Sequence, residues 1–173
     1  LGPFLINKIL RAWGQDSEER VRENPYALAA SGEIPGIGFR RADEIARQFP
    51  KWGPETDARA RAGVLHVLDD QATHGHCFEP YERLIRVACE LLGVEDEDVV
   101  RRAVGGLLDD GDLVSELLDD DEVAALSPKG SSEAEDDPTA EDGHRAVYRK
   151  AFLEAERRVA RRLLKIAATP AAD

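Results

Sequence analysis

Apolar positions recur at helical spacing through most of the chain. Residues 3–13 (PFLINKILRAW) place Phe4, Leu5, Ile9, Leu10 and Trp13 on a helix, with Pro3 suited to its first turn and Gly14 to its C-cap. Asp16, with Glu19 three residues on, has the logic of a capping box and predicts a second short helix ending near Glu23. Asn24-Pro25 reads as the N-cap and first position of a third helix, over about 25–30, which stops at Ser31-Gly32. The small-residue run Ile34-Pro35-Gly36-Ile37-Gly38 predicts a tight turn, after which Phe39, Ala42, Ile45, Ala46 and Phe49 resume the helical period.

Pro50-Lys51-Trp52-Gly53-Pro54 breaks this pattern and separates residues 1–53 from the rest of the chain. The spacing then predicts a helix over 57–74, an extended piece at His76-Cys77-Phe78, and helices over 80–92 and 95–109. Leu113–Leu118 and Glu122–Leu126, flanking Asp119-Asp120-Asp121, predict a small β-hairpin. Three helices and a hairpin over 54–126 resemble a winged-helix module. Residues 127–143 (SPKGSSEAEDDPTAEDG) have the composition of an acidic disordered linker. From 144 to 167 the apolar residues Tyr148, Phe152, Ala155, Val159, Leu163 and Ile166 predict one amphipathic helix with a basic stripe beside its apolar seam.

Charge changes the picture. The chain of 173 residues has a net charge of −12, which argues against nucleic acid as a partner of the whole. The acid is local: residues 1–53 carry +1, 54–112 carry −8, 113–142 carry −10 and 143–173 carry +5. Any nucleic-acid contact is therefore expected in the first or last segment. No apolar run is long enough to span a membrane, and no signal peptide opens the sequence, so a cytoplasmic protein with reduced thiols at Cys77 and Cys89 is expected. The absence of methionine points to a piece of a longer reading frame.

The glycine turn is the sharpest chemical signal. Glycines leave no side chain above the turn, and the helix after it presents unpaired N–H groups to an anion. Gly36, Ile37 and Gly38 would offer amides to a phosphate, with Arg40 and Arg41 adding charge; Gly2, Lys8, Arg157 and Arg161 are further candidate contacts. The competing reading is a plain helix–turn–helix in which Ile37 plugs the core. In the winged-helix-like segment Arg101 and Arg102 lie on the would-be recognition helix, but the acidic 119–122 tip repels phosphate, so a structural or protein-docking role is expected there.

Asn24-Pro25-Tyr26-x-Leu28-Ala29, Ile34-Pro35-Gly36-Ile37-Gly38-Phe39 and Ala42-Asp43-x-Ile45-Ala46 resemble the N-terminal helix-hairpin-helix region of RecD-like superfamily 1 DNA helicases, the RecD/TraA type. Arg61 to Leu68, Gly75-His76, Leu91 to Val94 and Glu156 to Leu163 resemble the same family more diffusely. The pattern and the resemblance together give the expected fold, mainly α: tandem helix-hairpin-helix over 1–53, the winged-helix-like three-helix module with its small β-hairpin over 54–126, and a connecting helix over 144–167 that the resemblance implies leads to absent motor domains. It implies non-sequence-specific binding or positioning of single-stranded or forked DNA for an ATP-dependent 5′–3′ helicase of recombination and repair, of the exodeoxyribonuclease V alpha-subunit kind.

The chain departs from that family in having no Gly-x-x-x-x-Gly-Lys-[Ser/Thr] loop, so ATP and Mg²⁺ are expected in the parent's motor domains and no cofactor or catalytic residue in this chain. Two other classes compete. One is a protein-interaction scaffold docking to motor domains without touching DNA. The other is a helix-hairpin-helix DNA glycosylase, whose catalytic Lys and Asp would have to be sought at Lys51 and Asp57, in contexts that do not match. A zinc site from His66, His74, His76, Cys77 and Cys89 has the wrong spacing, and no metal is expected.

Overall fold

Pro3 and Gly14 bound the first helix as the pattern requires: α1 spans Pro3–Trp13, and Gly14, at φ 62°, turns the chain and donates its N–H to the Leu10 carbonyl. The computed structural model describes residues 2–30, 34, 36–53, 55–118 and 145–168. A 3₁₀ turn over Gly14–Asp16 runs straight into α2, Ser17–Glu23. Asp16 consequently has helical backbone angles and makes no side-chain cap, so the expected capping box does not form. Asn24 does its work differently, its Oδ1 accepting the Tyr26 N–H at 3.1 Å, and α3 covers Ala27–Ala30. α4 spans Phe39–Ala46, α5 Asp57–Thr73, α6 Tyr81–Leu92 and α7 Glu97–Asp109.

The described residues divide into two units, Leu1–Val67 with Ile85–Gly105, and Leu68–Leu84 with Gly106 onward. In the first, Leu5, Ile9 and Trp13 of α1 pack with Leu28, Ile34, Ile37 and Ile45 into one apolar cluster, flanked by Val21, Ala27 and Phe49. Both isoleucines of the turn are therefore core residues.

The second unit holds a three-stranded antiparallel sheet, β1 Phe78–Pro80, β2 Leu113–Leu117 and β3 Arg145–Arg149, in the order β1-β3-β2. The partner of β2 is thus β3, with Ser115 opposite Val147. The expected partner, Glu122–Leu126, lies outside the described residues, as do the 127–143 linker and its boundaries. The helix expected from 144 begins instead as α8, Lys150–Ala167, because residues 145–149 form the middle strand. Tyr148 explains the difference: its apolar phase continues into α8, but its ring lies 5.1 Å from that of Phe78 across the sheet. Ala146, Val147 and Tyr148 are all buried, so side chains on both faces of the middle strand are covered.

Glu79 of β1 is buried as well, and burial pushes its carboxyl up from the usual range despite the nearby charges of Arg83 and His76. Leu153 anchors the start of α8, whereas Val159, Leu163, Leu164 and Ile166 remain exposed. No helix among the described residues is long and apolar enough to cross a membrane.

Tyr148→Ala should lower unfolding stability by about 3 kcal/mol by removing the central-strand aromatic, while Tyr148→Phe should retain most of it. Urea titration followed by circular dichroism measures both.

Candidate nucleic-acid interface

The turn before α4 owes its shape to one glycine and two isoleucines. Gly36 adopts φ 89°, a region that side-chain-bearing residues rarely enter. The Ile37 N–H donates to the Ile34 carbonyl at 3.3 Å, closing the turn. The Ile37 amide is therefore engaged within the turn, and its side chain is in the core; of the three amides expected to face a phosphate, this one is committed internally. Gly38 is extended and serves as the N-cap of α4, its carbonyl accepting the N–H groups of Arg41 and Ala42 at 3.1 and 3.2 Å. Helix geometry leaves the amides of Phe39 and Arg40 without intrahelical acceptors, adding two donors that the sequence reading missed.

Gly2 enters α1 in the same way, extended, with its carbonyl accepting from Leu5 and Ile6 at 3.0 and 3.2 Å. The two glycine entries belong to the same unit. Lys8 of α1 reaches the turn before α4, since a Cβ on Gly36 would lie 3.5 Å from the Lys8 Nζ. Arg41 lines an open depression together with Gly2, Leu5, Glu44, Ile45 and Gln48. Arg40 and Arg41 are exposed. The structure thus brings Gly2, Lys8, Gly36, Gly38, Arg40 and Arg41 onto one unit. Arg157 and Arg161 lie in the other: Arg157 pairs with Glu116 of β2, and the Arg161 Nε donates to the Arg157 carbonyl at 3.0 Å.

What fixes α4 is a buried ion pair. The Asp43 carboxylate accepts from Arg59 Nε at 2.7 Å and Nη2 at 3.2 Å, from the Tyr26 hydroxyl at 2.9 Å and from Arg47 Nη2 at 2.9 Å. Arg59 also donates through Nη1 to the Leu92 carbonyl at 2.9 Å, so one guanidinium joins α4, α5 and the end of α6. Burial alone would raise the Asp43 carboxyl, but hydrogen bonds from Arg59 and Tyr26, the Arg59 charge and the bond from Arg47 outweigh it and hold it below the ordinary range. Burial and the neighbouring carboxylate push the Tyr26 phenol well up. Tyr26 stacks on Phe39 at 6.1 Å, and Phe39 on His66 at 5.6 Å, so the first residue of α4 is clasped by rings on both sides. Arg59 was missed because its partner lies 16 residues away on another helix.

The residues weighed for other chemistries make local contacts. Asp57 pairs with Arg61 at 2.9 Å, and the Lys51 Nζ rests 4.9 Å from the Trp52 ring. His66 is occupied by Phe39, and the His74 Nδ1 lies 2.9 Å from the Asp70 carbonyl. Among the described residues no group of three or more His, Cys, Asp or Glu is placed to hold a metal. Burial comes first in raising the Cys77 thiol, aided by Glu156, and in raising that of Cys89, aided by Glu97. Both thiols are free.

Against known families, residues 1–78 match the ATP-dependent RecD2 DNA helicase HHH domain. This region is a helix-hairpin-helix domain of the RecD2 type. The match contains the glycine turn, α4 and Arg59, so the ion pair and the candidate phosphate-binding turn belong to one helicase-associated domain.

Two outcomes test this geometry. Gly36→Ala should destabilise the domain by about 1–2 kcal/mol through its positive φ, read by urea titration. Asp43→Asn should cost about 3–5 kcal/mol at pH 7 by leaving Arg59 buried without its counter-charge. Because the folded carboxyl titrates below its unfolded value, the stabilisation is complete above about pH 4 and disappears as pH falls through the lowered value. The gap between wild type and Asp43→Asn should therefore narrow below that pH.

Proposed function

We propose that this chain is a non-sequence-specific DNA-binding and positioning segment of a RecD2-type ATP-dependent 5′–3′ DNA helicase acting in recombination and repair. The observation that supports it most is the convergence of the Gly36–Gly38 turn, the Lys8 ammonium and Arg40–Arg41 on the domain matched to that family. The amides of Gly38, Phe39 and Arg40 would receive one phosphate, and Lys8, Arg40 and Arg41 would neutralise its neighbours. Such contacts read no base edges, so binding is local, salt-sensitive and indifferent to sequence. ATP and Mg²⁺ would bind in the parent's motor domains, and the setting would be cytoplasmic.

The order helix, strand, two helices and two strands, with β3 between β1 and β2, supports a winged-helix reading of the segment from α5 to β3. Its use is docking rather than DNA contact: Arg101 is paired with Glu97 at 3.0 Å, and residues 54–112 carry −8. That charge, with the uncovered Val159, Leu163 and Ile166 of α8, favours a second reading for the chain as a whole, a scaffold for motor domains with no DNA contact.

Fluorescence anisotropy with single-stranded, duplex and forked oligonucleotides separates the two. Binding should weaken steeply between low and moderate salt, and Arg40→Glu/Arg41→Glu should reduce affinity about tenfold or more. An unchanged affinity in that double variant would overturn the turn assignment, and no binding at any salt would favour the scaffold.

A further inference from the structure

We infer that the hairpin surface is built for single-stranded nucleic acid, with an unstacked base laid on the ring of Phe4; this rests on the DNA-binding reading above. Phe4 is 74 % exposed, although it sits in the first turn of a helix whose Leu5, Ile9 and Trp13 fill the core. Its ring is not isolated. The Lys8 Nζ lies 5.0 Å from the ring centroid, and the same ammonium borders the side-chain-free surface of Gly36. On the side of Gly2 and Leu5, Arg41 lines the adjoining depression, with Glu44 as its acidic member. An aromatic face, an ammonium and a glycine turn therefore adjoin, and a guanidinium lines the depression at Gly2 and Leu5 of the same unit.

A surface that meets only phosphates has no use for an exposed ring, and a duplex keeps the faces of its bases stacked inside. A single strand offers both parts, phosphates for Lys8 and the turn, and a base face that regains a stacking partner on Phe4. Residues 1–53 carry +1 where 54–112 carry −8, so the hairpin segment is the less repulsive of the two to an anionic strand. A protein occupant of the same face, reaching Ile6 and Leu10, would need no nucleobase and no phosphate, which is what the experiment distinguishes.

The test uses the full chain with labelled oligothymidylate, an abasic strand of equal length, and a duplex. Wild type should prefer oligothymidylate to both. Phe4→Ala should weaken oligothymidylate binding about 5- to 150-fold while moving the other two by less than about twofold, and Phe4→Trp should restore it. The ring is exposed, so circular dichroism should be unchanged. Equal loss on all three probes, no loss on any, or self-association in sedimentation abolished by Phe4→Ala would overturn the base-stacking assignment. Failure of wild type to bind any of the three would instead defeat the DNA-binding reading itself.

Discussion

Removing a carboxylate and a guanidinium from water is costly unless each finds enough partners, and Asp43 and Arg59 are buried together in the middle of the first unit. Their geometry meets that condition. Two guanidinium nitrogens face the carboxylate, the Tyr26 hydroxyl takes a further acceptor site, and the remaining arm of Arg59 is absorbed by the Leu92 carbonyl. An apolar pair of similar volume could fill the space, but it would not specify the angles at which α3, α4, α5 and the end of α6 meet. The pair acts on the candidate site at one remove. It fixes the rotation of α4, and that rotation decides that Ile45 turns inward while Arg40 and Arg41 turn outward.

The clasp around Phe39 continues the same constraint. Tyr26 touches both Asp43 and Phe39, and His66 covers the ring from α5, so the start of α4 is set by polar and aromatic contacts together. The turn before it needs only Gly36 to reverse, with Ile34 and Ile37 driven into the core. A rigid helix entry with side-chain-free glycines above it is what an anion-binding surface requires, since donors already in place lose little freedom on binding. Of the two readings of Ile37 weighed from sequence, the core plug describes its side chain, and its N–H is taken by the Ile34 carbonyl; helix geometry leaves the amides of Phe39 and Arg40 without intrahelical acceptors.

Much of this was legible because it is local. Pro3, Gly14 and the 3.6-residue spacing delimit α1, and the glycine run locates the turn to within a residue. What was not legible depends on distant partners or on continuity of phase. Asp16 and Glu19 have the letters of a capping box, yet the 3₁₀ turn from Gly14 gives Asp16 helical angles instead of the extended ones an N-cap side chain needs, and it makes no cap bond. The segment 145–149 carries Val147 and Tyr148, residues that suit a strand, but their phase runs unbroken into α8. Only pairing with both β1 and β2 decides the matter. Asp43 lies inside the motif that suggested the family, but nothing in the spacing names Arg59 as its partner. Phe4 reads as one more apolar residue of α1 until its exposure is known.

The distribution of charge then bears on how such a domain could work. On the proposed reading, one turn with three nearby cations engages few phosphates, and each phosphate neutralised by a cation contributes mainly through counter-ion release. On that reading, binding in isolation is weak at physiological salt. Tethering changes the arithmetic. A domain joined to a motor that already holds the strand meets it at an effective concentration on the order of millimolar, so a contact too weak to hold DNA alone can still orient it. Weak affinity is then compatible with function, because a strand that must be translocated has to be released at every step. On the proposed reading, the acidic composition of residues 54–142 would leave the few residues around Lys8, Gly36 and Arg41 as the contact and discourage the rest of the chain from trapping the DNA.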